Sequence, residues 1–329
     1  MMDFSDLTIL ITCYNSENYL TNIEAVLDTA IESKACAVIV DDGSTDRTLE
    51  KLKNLSKRLP QITIIDSANL GSASARNLAL QNTVTRFGVF LDADDRLNLE
   101  ALSNLLRSLK NSGANHGLGN FLSLPKNTLG AVPKGLTDSV INSCDYRDEL
   151  FRNMGYWRYI YDVRELRKAK LNFEPTFAEV GSHYFILDDA YFLMKFFGIE
   201  FKLYVGDHLD PFYNYNVGEI NKYRWNRYLK QVKSIPLASR IVLRTAKQNK
   251  HIDLDWFCTT LLNFTFESTN RLPLSLYISC IPNSFRFAIE AGPERGQPYS
   301  LIAANIFQAA KNSIATSLPY KVFRKKNKG

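Results

Sequence analysis

The chain has 329 residues, 45% of them hydrophobic and 22% charged, with a formal net charge of +6. That is the length of one large domain with an extension, or of two domains, and the composition is that of a globular chain with a sizeable core. Five of the positive charges crowd into residues 320–329, so the rest is close to neutral and nucleic acid is excluded as an expected partner.

Residues 7–12 form an apolar run of strand type, broken by Tyr14-Asn15-Ser16. Leu20, Ile23, Leu27 and Ile31 then recur at helical spacing. Residues 35–40 read as a second buried strand ending in Asp41-Asp42-Gly43-Ser44. Ser44 or Thr45 is the expected cap of a helix carrying Leu49, Leu52, Leu55 and Leu59. A third strand is expected over 62–65, and Asn69 to Asn77 opens a short helix with Leu78 and Leu80. Residues 87–91 form a fourth strand, and Leu102, Leu105, Leu106 and Leu109 mark the next helix. Such alternation with short connections predicts an α/β fold, a mostly parallel sheet flanked by helices.

The fourth strand ends in Asp92-Ala93-Asp94-Asp95, three carboxylates within four residues. In extended backbone, Asp92 and Asp94 face the same way and offer oxygen ligands to a hard divalent cation, Mg²⁺ or Mn²⁺. A polar turn with Asp95 capping the next helix explains the same residues. The other polar residues also fall at strand ends: Thr12 and Tyr14, Asp41 and Asp42, Asn69 to Arg76. Ligands of open α/β sheets bind at that rim. Neither a dinucleotide nor a P-loop glycine motif occurs, so bound phosphates would rely on a metal and side chains.

Thr12-Cys13-Tyr14-Asn15, Val40 to Asp46, Asn69-Leu70-Gly71 with Ala75-Arg76-Asn77, and Leu91 to Asp95 together resemble the nucleotide-binding half of the family 2 inverting glycosyltransferases, with their GT-A fold. The resemblance is strong over 5–110, weaker to about 217 and absent beyond; Cys13 stands where many members have proline. It implies a nucleotide-binding half at 1–110 and an acceptor half at 111–217, and the helical patterns beyond make 218–329 a helical extension. It also implies base contacts from Thr12 and Tyr14, and a base N–H donating to Asp42. Arg76 would lie near the donor nucleotide, Asp92 near the ribose or metal, and Asp94 on the metal. Partners would be a nucleotide-sugar donor, UDP-linked first among candidates, and a glycan or lipid-linked acceptor in cell-surface polysaccharide synthesis.

Between 111 and 180 the pattern is weaker. Residues 116–124 read as one further strand, with His116 structural. Tyr156, Trp157, Arg158, Tyr159 and Tyr161 read as packing, with pyranose stacking the alternative. Asp188-Asp189-Ala190-Tyr191-Phe192 precedes a helical pattern, where acids are common for capping alone. The same stretch resembles the family's acidic pair followed by an aromatic, which makes Asp189 the general base and gives Asp188 a capping or orienting role. His183 and His208 are further candidates near the site.

Beyond Gly218, helical patterns dominate. The basic tail follows a last helix with Ile302, Ile306, Ala310 and Ile314 on one face. That pair of features suits peripheral contact with an anionic membrane surface, and equally a solvated terminus. Five scattered cysteines, no basic leader region and no apolar run near the ~18 residues of a membrane span give the expectation of a cytoplasmic protein, peripheral at the membrane at most. Rival functions are a metal-dependent nucleotidyltransferase and a catalytically inactive carbohydrate-binding scaffold.

Overall fold

The computed structural model describes residues 2–124, 126–133, 135–152, 155–174, 188–206, 210–216, 238–239, 241–258 and 260–261. Two compact units divide the chain, and the first comprises Met1–Pro175 with Asp188–Glu219. The described residues of the second are largely helical, with Val242, Leu243, Ala246, Phe257 and Leu261 buried. His183, His208, the last helix and the basic tail lie outside the described residues.

In the first unit, strands β1 (Leu7–Cys13), β2 (Cys36–Asp41), β3 (Ile62–Asp66) and β4 (Phe87–Asp92) alternate with helices α1 (Leu20–Glu32), α2 (Thr48–Arg58) and α3 (Ser72–Gln81). β1 lies centrally, parallel to β2 on one side and β4 on the other, and β3 runs parallel to β2. Every residue of β1 except Thr12 is buried. Coverage on both faces explains why its sequence is a continuous apolar run and not an alternation.

The remainder departs from parallel order. After β5 (Arg96–Leu97) and α4 (Leu99–Ser112) come β6 (His116–Leu118), β7 (Asn120–Leu124), β8 (Thr128–Gly130), β9 (Ser139–Asn142) and α5 (Ser143–Arg152). Then follow β10 (Tyr159–Asp162), α6 (Val163–Lys168), α7 (Asp188–Phe197), β11 (Lys202–Val205) and β12 (Pro211–Asn216). The main sheet has the order β3-β2-β1-β4-β10-β6-β11-β9, and β5-β12-β7-β8 form a second sheet. β10 runs antiparallel to both β4 and β6.

Residues 116–124, expected as one strand, form two strands in two sheets. Gly119 marks the break: a Cβ there would lie 2.4 Å from the Phe212 ring, so only glycine lets the chain change sheets at that point. Capping also differs from expectation. Asn98, not Asp95, caps α4 by accepting from the Ala101 N–H. The Asp46 carboxylate, and neither Ser44 nor Thr45, accepts from the Thr48 N–H at the start of α2.

An aromatic layer seats α7 on the sheet. Phe90 of β4 meets Tyr156, Tyr161 and Phe173 edge-on, and Phe173 stacks on Phe192 at 4.1 Å between centroids. His116 is fully buried against Phe196 and Phe201 and accepts from the Asp162 N–H, a structural role. Tyr156, Trp157, Tyr159 and Tyr161 are likewise buried, as the packing reading holds.

The loops at the carboxyl ends of β1, β2 and β3 interlock. Ser44 Oγ accepts from the Asn15 N–H, and Asn15 Oδ1 from the Thr45 N–H. Both oxygens of Asp42 accept backbone N–H groups, from Leu70 at 2.7 Å and Gly71 at 2.8 Å. Gly43 stands at φ +71°, and a Cβ there would come within 2.8 Å of the Asn69 nitrogen. Gly43→Ala is therefore expected to lower stability by about 1–3 kcal/mol. Chemical denaturation checks this, and an unchanged midpoint would show that the loops give way freely.

Candidate active site

Strand register brings the candidate residues to one level. Thr12 pairs with Asp92, and Cys13 with Asp41, across adjacent parallel strands. Strand order reverses across β1 and β4, where open α/β sheets leave a crevice beyond the strand ends. Thr12 and Asp92 are half-buried there, and Tyr14 is 50% exposed with its ring free of the core. Asp41 is fully buried and accepts from the Ser44 N–H, a turn-forming role.

From this rim a buried network runs to α7. Arg76, 9% exposed on α3, donates to Asp188 Oδ2 at 2.5 Å and to Asp92 Oδ1 at 3.5 Å. Ser72 Oγ also donates to Asp188, at 2.9 Å. Arg76, expected on the donor side, has its guanidinium facing these two carboxylates and 4.3 Å from the centre of the Tyr156 ring. The Asp189 N–H donates to the side chain of Asp188. Asp188 thus orients the helix start, and Asp189 remains half-buried beside it.

Charge crowding marks the third side. Asp95 is buried, and its carboxyl accepts from the Tyr213 hydroxyl and the Asn216 N–H. Burial, with Asp92 and Asp94 adding repulsion, pushes its pKa up to about 7. Burial and then the Asp188 charge push Asp189 up to about 7 as well, against the pull of the Ala190 N–H and Arg76. The Tyr215 phenol is raised by burial and then by Asp95, Asp92, Asp94 and Asp189. One tyrosine therefore senses both the carboxylates after β4 and the acid on α7, which sequence alone could not join.

Among the described residues, no group of three or more His, Cys, Asp or Glu side chains is arranged to hold a metal ion. The residues present nevertheless fit a hard cation. Asp92 and Asp94 are half-buried oxygen donors whose charges, after burial, add to the raising of Asp95. A cation that keeps waters and substrate phosphates in its shell needs no more than one or two such carboxylates.

Sequence reasoning noted Tyr156 and Tyr213 as aromatics but not their partners: the Tyr156 hydroxyl donates to Asp92 Oδ1 at 2.6 Å, and Tyr213 donates to Asp95. The alternation Tyr213-Asn214-Tyr215-Asn216 was the available signal for the latter. Nothing local marks Tyr156.

Residues 8–167 match the family described as glycosyl transferase family 2. This region belongs to glycosyltransferase family 2. Over 165 residues the chain is 26% identical to "Glycosyltransferase GlyA" of Streptococcus pneumoniae, covering 50% of this chain and 23% of that one. Over 107 residues it is 32% identical to the poly(ribitol-phosphate) beta-N-acetylglucosaminyltransferase TarS of Staphylococcus aureus, covering 32% and 18%. The chain thus spans about a quarter of the length of the first curated relatives it matches. In fold it is similar to the crystal structure of TarS in complex with UDP, with a TM-score of 0.61 at 16% identity over 96% of this chain and 91% of that one. The GT-A architecture of the family 2 domain is thereby shown, and no helix among the described residues is long and apolar enough to cross a membrane.

The Asp189 environment makes a stability prediction. Its folded pKa of about 7 lies above the 3.8 of a free carboxyl, so the contribution of its protonated form is complete below about pH 4 and is lost as pH climbs through about 7. Asp189→Asn cannot ionise, and its side-chain oxygen can still accept from the Ala190 N–H. Calorimetry is expected to show its melting temperature a few degrees above that of the native chain at about pH 8, with the gap closing towards about pH 5. Equal shifts at both values would refute the titration.

Proposed function

We propose that this chain is an inverting glycosyltransferase, moving a sugar from a nucleoside diphosphate to a hydroxyl of a glycan or lipid-linked acceptor. Its support is that Arg76 joins Asp92, at the end of β4, to Asp188 beside Asp189, at the rim of a family 2 domain. Thr12, Tyr14 and Asp42 contact the base. Each Asp42 oxygen accepts one backbone N–H and keeps a lone pair for a donor such as a uracil N–H. Arg76 serves the donor side through Asp92. Asp94, with Asp92 beside it, would hold Mn²⁺ or Mg²⁺, which when bound neutralises the charge developing on the leaving diphosphate.

Asp189 takes the proton of the attacking acceptor hydroxyl. A base works best with a pKa near the working pH, and burial beside Asp188 puts Asp189 there. Attack from the Asp189 side, opposite the departing diphosphate, inverts the anomeric carbon. Relatives that include a teichoic acid poly(glycerol phosphate) polymerase and TarS support such an acceptor. A cell-surface polymer assembled in the cytoplasm, at the inner membrane face, suits both that kinship and the basic tail.

The test is release of nucleoside diphosphate from a panel of sugar nucleotides with Mn²⁺, beginning with UDP-sugars. Release of sugar 1-phosphate instead, or of pyrophosphate from a nucleoside triphosphate, would indicate a nucleotidyltransferase, and no turnover with any donor an inactive scaffold. Asp94→Ala is expected to weaken donor binding in Mn²⁺ about tenfold or more. Asp189→Asn is expected to lower transfer by about 10²–10⁴-fold while donor binding holds. The native transfer rate should rise with pH through about 7 as Asp189 loses its proton. Normal transfer by Asp189→Asn would remove the base assignment.

A further inference from the structure

Two buried side chains end on a single oxygen of Asp92. The Tyr156 hydroxyl donates to Oδ1 at 2.6 Å, and Arg76 Nη2 approaches the same atom at 3.5 Å. Among the described residues, the other carboxylate oxygen of Asp92 accepts no hydrogen bond, and the side chain keeps 28% of its exposure. Arg76 is itself pinned twice: its Nη1 donates to Asp188 Oδ2, and its guanidinium rests on the Tyr156 ring. Tyr156 is 3% exposed and held edge-on by Phe90 and Phe173.

A carboxylate turns easily about its last bond, since that torsion is broad and two-fold. Two donors on one oxygen remove that freedom and aim the other oxygen outward. Because Arg76 spans Asp92 and Asp188, the orientation of one carboxylate constrains the other, although 96 residues separate them in the chain.

We propose that Tyr156 and Arg76 are positioning residues that lock Asp92 for the donor and tie it to Asp188, and so to the first turn of the helix carrying Asp189. This inference rests on the glycosyltransferase reading above. It adds a link between the donor side and the base that neither group could supply alone. Near-attack geometry depends on such support, since misplacement by about 1 Å can cost 10²-fold in rate.

Tyr156→Phe is the direct test, because the ring, its edge contacts and the platform under Arg76 all remain. Titration calorimetry with a UDP-sugar and Mn²⁺ is expected to show donor Kd up to about tenfold higher, the cost of ordering the freed Asp92 carboxylate on binding. The melting temperature is expected to fall by only a few degrees, the loss of one buried hydrogen bond with the ring packing kept. Arg76→Lys keeps the charge but not the two-armed span. Its transfer kcat is expected to fall about tenfold or more while donor hydrolysis falls less. A double-mutant cycle of Tyr156→Phe with Asp188→Asn, read as donor Kd, should be non-additive if Arg76 couples the two sides.

Unchanged donor Kd in Tyr156→Phe, or strict additivity in the cycle, overturns the inference while the glycosyltransferase reading stands. A native chain that binds no sugar nucleotide at all removes both.

Discussion

A single buried guanidinium is the constraint on which this site depends. Arg76 arrives from α3, Asp92 ends β4, and Asp188 begins α7. Burying such charges costs several kcal/mol per ion, and their attraction repays that only with good geometry and further hydrogen bonds. Here the further bonds exist: Ser72 on Asp188 and Tyr156 on Asp92. The network is therefore better understood as fixing position than as adding stability. Each partner has few alternatives, because removing any one would strand a buried charge.

Around that anchor, the rim is built by loops that hold one another. A phosphate-binding turn of the P-loop kind uses glycine and backbone N–H groups aimed at the ligand. This rim does the reverse. The N–H groups of Leu70 and Gly71 are spent on Asp42, and those of Asn15 and Thr45 on each other's loops. With the backbone donors committed internally, what faces outward is side-chain chemistry: the Tyr14 ring, Thr12 and the carboxylates after β4. Such a surface suits a nucleotide held by ring contacts and a cation.

The amino-terminal half was legible because its signals are local. A parallel strand covered on both faces must be apolar throughout, and the residues that break the run must sit at its end, so Asp42, Asp92 and Asp94 announced themselves. Family likeness then gave these positions roles. What sequence could not reveal was partnership. Arg76 reads as a residue of the donor side until Asp188 at the start of α7 is seen to hold it. Tyr156 reads as one more aromatic until its hydroxyl reaches a residue 64 positions away. The break at Gly119 was hidden for the same reason, since the obstacle is Phe212, far along the chain. Long-range register, not local preference, decides all three.

Asp188 and Asp189 show how environment divides two chemically identical neighbours. The first points inward, where Ser72, Arg76 and the Asp189 N–H all donate to it. The second lies on the other side of the same helical turn, where burial and the charge of Asp188 oppose ionisation and Arg76 gives only partial relief. Adjacent helical residues diverge by about 100° around the axis, so one can be committed to the protein while the other is left to the substrate. Burial first, and then the charge of Asp188, keep Asp189 a reluctant acid. A carboxyl that gives up its proton only near neutrality is one that can take a proton back from an attacking hydroxyl.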